Sequence, residues 1–111
     1  GNLDSVRDFL DVDDVIEAYR HLIDPEVPNG VYNVSSGVGI RIGEILAALA
    51  SRAGVKPEIL RDEARWRPAD ARVGNCHRLQ EVTGWKPLRT LDQTLEAVLD
   101  DWRARIREPG A

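Results

Sequence analysis

Apolar residues along the chain follow two different periods. Spacings of three and four residues, typical of one face of an amphipathic helix, occur within residues 12–23, 42–53, 75–84 and 91–106. Short runs rich in β-branched and aromatic residues predict strands at 6–9, 30–34 and 58–60, the second of them buried. The pattern therefore predicts a helix-rich α/β fold with two or three short strands, in a single domain spanning residues 1–111.

Polar residues at the ends of these stretches predict where the helices begin. Asp11 or Asp13 can accept the free N–H groups of the first helix, and the adjacent Asp13 and Asp14 are interpreted as favourable charge at its start. Thr90 opens a capping box before the last helix. The second helix follows Arg41, which offers no capping oxygen, and this loses about 1 kcal/mol.

Composition and charge exclude several classes of protein. The chain has 42% hydrophobic and 31% charged residues and no apolar run near the roughly 18 residues of a membrane helix. A net charge of −4 argues against a nucleic-acid partner, and the single cysteine, Cys76, gives neither an internal disulfide nor a metal cluster. We expect a cytoplasmic protein without a metal. The lack of methionine and the small number of strands predict part of a longer protein.

Two segments have the chemistry of a ligand site. Arg7 lies just before the first helix, where a planar guanidinium can bind phosphate; the alternative is a surface ion pair with Asp8, Asp11 or another neighbour. Residues 65–70, Arg-Trp-Arg-Pro-Ala-Asp, combine two guanidiniums, an aromatic ring and a carboxylate. This set suits an anionic, hydroxylated, flat ligand. The alternative is a solvated loop with Trp66 in the core.

Other polar or aromatic residues favour a structural interpretation. Gly84 and Trp85 are typical of a helix end followed by a core-filling side chain. His21 and His77 have no cysteine, histidine or carboxylate at metal-ligand spacing. These residues therefore add no catalytic or metal site.

Taken in order, the motifs resemble the extended short-chain dehydrogenase/reductases that act on nucleotide sugars. The branch most similar is that of the GDP-mannose 4,6-dehydratases, with the related GDP-hexulose reductases. The matching motifs are Gly1-Asn2-Leu3-Asp4, Arg7-Asp8-Phe9, Val12-Asp13-Asp14, Val31-Tyr32-Asn33-Val34, Arg67-Pro68-Ala69-Asp70 and Gly84-Trp85. The likeness extends over nearly the whole chain.

The resemblance implies roles for three residues. Arg7 looks like the arginine that contacts the nucleotide diphosphate, and Arg67 like the loop arginine on the nucleotide portion. Asp70 occupies the acidic position that binds the ribose hydroxyls, where dehydratases often have glutamate. The implied partner is a GDP-mannose-like nucleotide sugar.

The resemblance also implies that the Rossmann half of the enzyme, which binds NADP or NAD, is absent from this sequence. Gly37 and Gly39 follow a predicted strand, but Ile42 stands where a dinucleotide fingerprint has its third glycine. The family's tyrosine and lysine, four residues apart, are missing: the residue four positions after Tyr19 is Ile23, and the one four positions after Tyr32 is Ser36. We expect no bound cofactor, no catalytic residue and no turnover by this chain alone.

These arguments predict the substrate-binding lobe of a GDP-mannose 4,6-dehydratase-like lyase. Within the same superfamily, the alternatives are a GDP-hexulose reductase and a UDP-sugar epimerase. A different alternative is a stand-alone, non-enzymatic module that binds a nucleotide or sugar. A further one is an interaction module, a homo-oligomer formed through the apolar surface that the missing half would leave.

Overall fold

The computed structural model describes residues 1–108 and contains four helices and three short strands. This confirms the helix-rich α/β fold class. In chain order the elements are β1 (Val6–Asp8), α1 (Val12–Leu22), β2 (Gly39–Arg41), α2 (Ile42–Ala53), β3 (Ala71–Arg72), α3 (His77–Thr83) and α4 (Leu91–Arg107).

The three strands form one sheet with β1 in the centre, in the order β2-β1-β3. β1 runs antiparallel to β2 and parallel to β3. The register places Arg7 opposite Ile40 on one side and Arg72 on the other. The Val6 N–H donates to the Asp70 carbonyl oxygen at 2.8 Å, so the loop before β3 is held against β1.

The starts of α1, α2 and α4 agree with the sequence, whereas α3 begins at His77, two residues later than predicted. Of the two candidate caps of α1, Asp11 is the one used, because its carboxylate accepts the Asp13 N–H at 2.9 Å. Thr90 and Gln93 form the capping box of α4, with hydrogen bonds of 3.1 Å and 2.9 Å between each side chain and the other's N–H. Arg41 precedes α2 without a side-chain cap, as its chemistry requires.

Two of the predicted strands are wrong. Residues 30–34 and 58–60 form no strand, because neither segment has a neighbouring strand within residues 1–108 to pair its backbone groups. Val31, predicted to be buried, is 81% exposed. β2, at Gly39–Arg41, pairs with β1, although no strand was predicted there.

The core forms where α1, α3 and the segment after α3 meet. Leu79 and Ala18 are fully buried, and Cys76 and Trp85 pack with them. The indole N–H of Trp85 donates to the Asp14 carbonyl oxygen at 2.9 Å. The structural interpretation of Trp85 is confirmed, and Gly84 ends α3 with a left-handed φ of 73°.

Asp14 does more than place charge at the start of α1. Its side chain is 1% exposed. It accepts the N–H groups of Leu88 and Arg89 at 3.2 and 3.1 Å and the Arg89 guanidinium at 2.8 Å. Burial would raise the pKa of Asp14, but these donors outweigh it and hold the pKa below its ordinary value of 3.8. Asp14 thus ties α1 to the segment that leads into α4.

Replacing Gly74 with alanine is expected to lower the free energy of unfolding by about 1–3 kcal/mol. A methyl group at this position would overlap the Ser35 side chain, which is buried. Chemical denaturation of the variant measures the loss. Adding Ser35→Gly removes the atoms that collide, so the double variant should recover part of the stability. No recovery would contradict this cause.

Candidate functional site

Two of the three residues predicted to bind ligand are in contact. Asp70 immediately precedes β3, which pairs with β1 in parallel. This pairing brings the Asp70 carboxylate into contact with the Arg7 side chain of β1. Arg7 Nη2 lies 2.8 Å from Asp70 Oδ1, and Arg72 Nε lies 3.4 Å from Asp70 Oδ2. Arg7 thus forms a surface ion pair, as the alternative interpretation allowed, but its partner is Asp70 and not Asp8 or Asp11. The site therefore places two guanidiniums on one carboxylate.

The Arg7–Asp70 pair is accessible and charged. The hydrogen bond from Arg7 is the largest effect on Asp70 and lowers the pKa of its carboxyl below 3.8. Side-chain exposure is 35% for Arg7 and 44% for Asp70, so a ligand can reach both. An ion pair this exposed contributes little to the free energy of folding. Breaking it so that either side chain can bind a ligand therefore costs little free energy.

Arg67, the third predicted residue, lies on the same loop but does not contact Arg7 or Asp70. Its guanidinium donates to the Trp66 carbonyl oxygen at 2.9 Å and forms no ion pair within residues 1–108. Its own carbonyl oxygen accepts the Asn2 side-chain amide at 3.0 Å. This hydrogen bond joins the first residues of the chain to the loop that contains Arg67.

Trp66 is neither fully exposed nor part of the main core. The Arg61 guanidinium lies 4.0 Å from the centroid of its ring. Trp66 lines an open cavity of about 480 Å³ next to Arg67. The other lining residues are Gly1, Asn2, Leu3, Ile42, Ile59, Leu60, Arg61 and Asp62. This mixture of apolar walls and a few polar groups suits a flat heterocycle.

Asp8, next to Arg7, holds strand β1 in place, a role that the sequence alone does not reveal. Its carboxylate accepts the N–H groups of Ser36, Gly37 and Gly74 at 2.8, 2.9 and 3.2 Å. Burial would raise the pKa of Asp8, but these donors hold it below 3.8. Asp8 therefore fixes β1 to two turns. No local sequence signal reveals such partners, because they lie far along the chain.

Another cavity, of about 500 Å³, lies elsewhere, between α2 and α4. Its walls are mainly apolar, with Ile45, Leu49, Leu95 and Val98 among them. It lacks the set of cations that a diphosphate requires, so the chemistry favours the Arg7 site. Within residues 1–108 no three histidine, cysteine or acidic residues are grouped to hold a metal. Over the same residues, no helix has the length and apolar character to cross a bilayer.

A sequence profile of the GDP-mannose 4,6 dehydratase family matches residues 1–98. The chain belongs to this family. The GDP-6-deoxy-D-mannose reductase of Pseudomonas aeruginosa is 46% identical over 97% of this chain and 36% of its own length. The GDP-6-deoxy-D-talose 4-dehydrogenase of Aggregatibacter actinomycetemcomitans is 33% identical over 76% of this chain and 29% of its own.

Solved structures agree with this assignment. The structure of RMD from Pseudomonas aeruginosa complexed with NADPH is 43% identical and matches with a TM-score of 0.83. The match covers 95% of this chain and 34% of that enzyme. This member of the GDP-mannose 4,6-dehydratase family thus spans about a third of the length of the relatives it matches. The family predicted from the motifs is confirmed.

Proposed function

We propose that the chain is the substrate-binding part of a GDP-sugar enzyme and that Arg7, Arg67 and Asp70 bind the nucleotide. The observation that supports this most directly is the contact between Arg7 and Asp70 made by the parallel pairing of β1 and β3. It occurs in a family whose members named above act on GDP-linked sugars.

The geometry supports a specific mode of binding. A diphosphate would attract the Arg7 guanidinium, because charge-assisted, forked hydrogen bonds to phosphate are stronger than an exposed ion pair. Asp70 would then have an oxygen free to accept a ribose hydroxyl, while Arg72 keeps it charged at 3.4 Å. Arg67 and Trp66 lie on the loop that leads to Asp70, and Trp66 lines a cavity. The rest of the nucleotide would bind there.

For the whole enzyme, we propose reduction of a GDP-linked keto sugar, since the 46% identical relative is a GDP-6-deoxy-D-mannose reductase. A dehydratase is the second candidate, favoured by the family profile. In the reductase, NADPH or NADH would supply the hydride. In the dehydratase, NADP or NAD would accept a hydride from the sugar and return it to the same sugar. The residues described here offer the cofactor no glycine-rich turn. This chain would bind the nucleotide and orient the hexose toward the cofactor. Holding the reacting groups in the right geometry lowers the activation free energy of hydride transfer.

Replacing Arg7 with alanine is expected to weaken binding of GDP-mannose about 10- to 100-fold, the loss expected for a charge-assisted hydrogen bond. Binding is measured by titrating the 111-residue chain and following its backbone amide NMR shifts. Shifts in the wild-type chain should concentrate near Arg7, Arg67 and Asp70. Guanine nucleotides should give larger shifts than UDP.

The matched control is Arg20→Ala. Arg20 lies on α1 and its side chain is 71% exposed; within residues 1–108 its one ion pair is with Glu17, in the preceding turn of the helix. Its removal changes the net charge equally but should leave binding unchanged. Equal weakening by both variants would indicate non-specific attraction of an anion. Shifts that avoid Arg7, Arg67 and Asp70 at millimolar ligand would contradict the proposed site.

A further inference from the structure

Arg72 is the second guanidinium at the contact between Arg7 and Asp70. It lies on β3, and the register of the parallel strands places it directly opposite Arg7 of β1. Its side chain is 79% exposed, and its Nε atom lies 3.4 Å from Asp70 Oδ2. A ligand that reaches the Asp70 carboxylate therefore also meets Arg72.

The charges of these three side chains do not balance. Like charges directly opposite each other on neighbouring strands repel, and Arg7 and Arg72 are such a pair. Each oxygen of the Asp70 carboxylate contacts one of the two guanidiniums, so one negative charge offsets two positive charges. The site is therefore positive in a chain whose net charge is −4. A bound anion would remove the remaining repulsion.

The two arginines differ in how their hydrogen-bond donors are used. Arg7 donates from Nη1 to the Val6 carbonyl oxygen at 2.8 Å, and its Nη2 lies 2.8 Å from Asp70. Arg72 contacts Asp70 through Nε, and within residues 1–108 its two terminal nitrogens have no partner. A guanidinium is a planar fork of donors, so Arg72 can bind a ligand with its outer edge without releasing Asp70.

The backbone of Asp70 is fixed to the strand that contains Arg7. Its N–H donates to the Ser5 Oγ at 3.2 Å, and its carbonyl oxygen accepts the Val6 N–H at 2.8 Å. The Ser5 residue is buried. Asp70 is thus held in place before any ligand binds, and it orients Arg72 through the Nε contact. A side chain that is already oriented loses less conformational entropy on binding.

We infer that Arg72 is a second phosphate-binding residue of the site. Its terminal nitrogens bind one phosphoryl group of the nucleotide diphosphate while Arg7 binds the other, and its Nε keeps Asp70 in place for the ribose. Two guanidiniums side by side match two phosphoryl groups, because each can form a forked pair of hydrogen bonds with one of them. The inference rests on the proposed function for the identity of the ligand and adds a residue to the site.

Titration of the 111-residue chain with GDP and with inorganic pyrophosphate, followed by backbone amide NMR shifts, tests this role. Arg72→Gln is expected to weaken the binding of both ligands about 10-fold. Arg72→Lys should weaken it less, since lysine keeps the charge but loses the planar fork. Because the side chain is 79% exposed, neither change should shift the melting temperature by more than about 3 °C.

The matched control is Arg20→Gln, which removes the same charge from an exposed position on α1 and should leave binding unchanged. Equal weakening by Arg72→Gln and Arg20→Gln would mean non-specific attraction of anions and would overturn the inference. Binding that Arg7→Ala weakens but Arg72→Gln does not would also overturn it, while leaving the proposed function intact.

Two further outcomes separate the inference from the proposed function. If pyrophosphate binding depends on both Arg7 and Arg72 but GDP binds no more tightly than pyrophosphate, the phosphate site stands and the proposed nucleotide site fails. If neither ligand causes shifts at millimolar concentration, both the inference and the proposed function are contradicted.

Discussion

Replacing Trp85 with alanine is expected to lower the free energy of unfolding by about 4 kcal/mol. The indole is 3% exposed and packs against Leu79 and Ala18. Its removal leaves a cavity in a small core and also leaves the Asp14 carbonyl oxygen without the indole N–H that lies 2.9 Å away. Because a domain of this size is stable by only about 5–15 kcal/mol, much of the variant should be unfolded at modest urea concentrations.

Urea denaturation followed by far-ultraviolet circular dichroism measures this loss without relying on tryptophan fluorescence. Trp102→Ala is the matched control, since it removes the same side chain from a position on α4 that is 58% exposed. That variant should change the stability by less than about 0.5 kcal/mol. Similar losses in the two variants would contradict the assignment of Trp85 to the centre of the core.

Asp14→Asn is expected to lower the free energy of unfolding by about 3 kcal/mol, because the buried hydrogen-bond donors then face an amide group instead of a carboxylate. The carboxylate accepts two N–H groups and the Arg89 guanidinium, and the amide can satisfy them only in part. Asp13→Asn is the control at the neighbouring position. The Asp13 side chain is 62% exposed and lies 3.8 Å from Arg89, so its removal should have little effect at neutral pH.

The cost of Asp14→Asn should depend on pH in a defined direction. The pKa of Asp14 in the folded chain lies below 3.8, so the charged carboxylate stabilises the fold fully at higher pH. This contribution is lost as the pH falls through the folded pKa. The difference in unfolding free energy between wild type and Asp14→Asn should therefore be constant from about pH 5 to 7 and shrink below about pH 4. A difference that stays constant to pH 2.5 would contradict the lowered pKa.

The positions of the helices and their caps could be predicted from the sequence alone. Asp11, Thr90 and Gly84 act on groups within a few residues of themselves, so the local chain contains all the information that these contacts require. The core position of Trp85 was predicted for a similar reason, since it directly follows the glycine that ends a helix. Family membership was predicted from ordered motifs, each of which is short and local.

The sequence also indicated the residues of the candidate site but not how they meet. Arg7 and Asp70 were selected for their chemistry and their resemblance to family positions. Their contact at 2.8 Å follows from the pairing of β1 with β3, and strand pairing between distant segments has no local signature. Asp8 and Asp14 were missed as structural carboxylates for the same reason, because the N–H groups they accept lie far along the chain.

The sequence by itself determined which segments become helices, where those helices begin and end, and which chemical groups are available to bind a nucleotide. Only the tertiary structure decided which extended segments became strands. Residues 30–34 were predicted as a buried strand but stay unpaired, whereas β2, which was not predicted, pairs with β1. The physical reason is that a helix satisfies its backbone hydrogen bonds within itself, whereas a strand depends on a neighbour that its own residues do not specify.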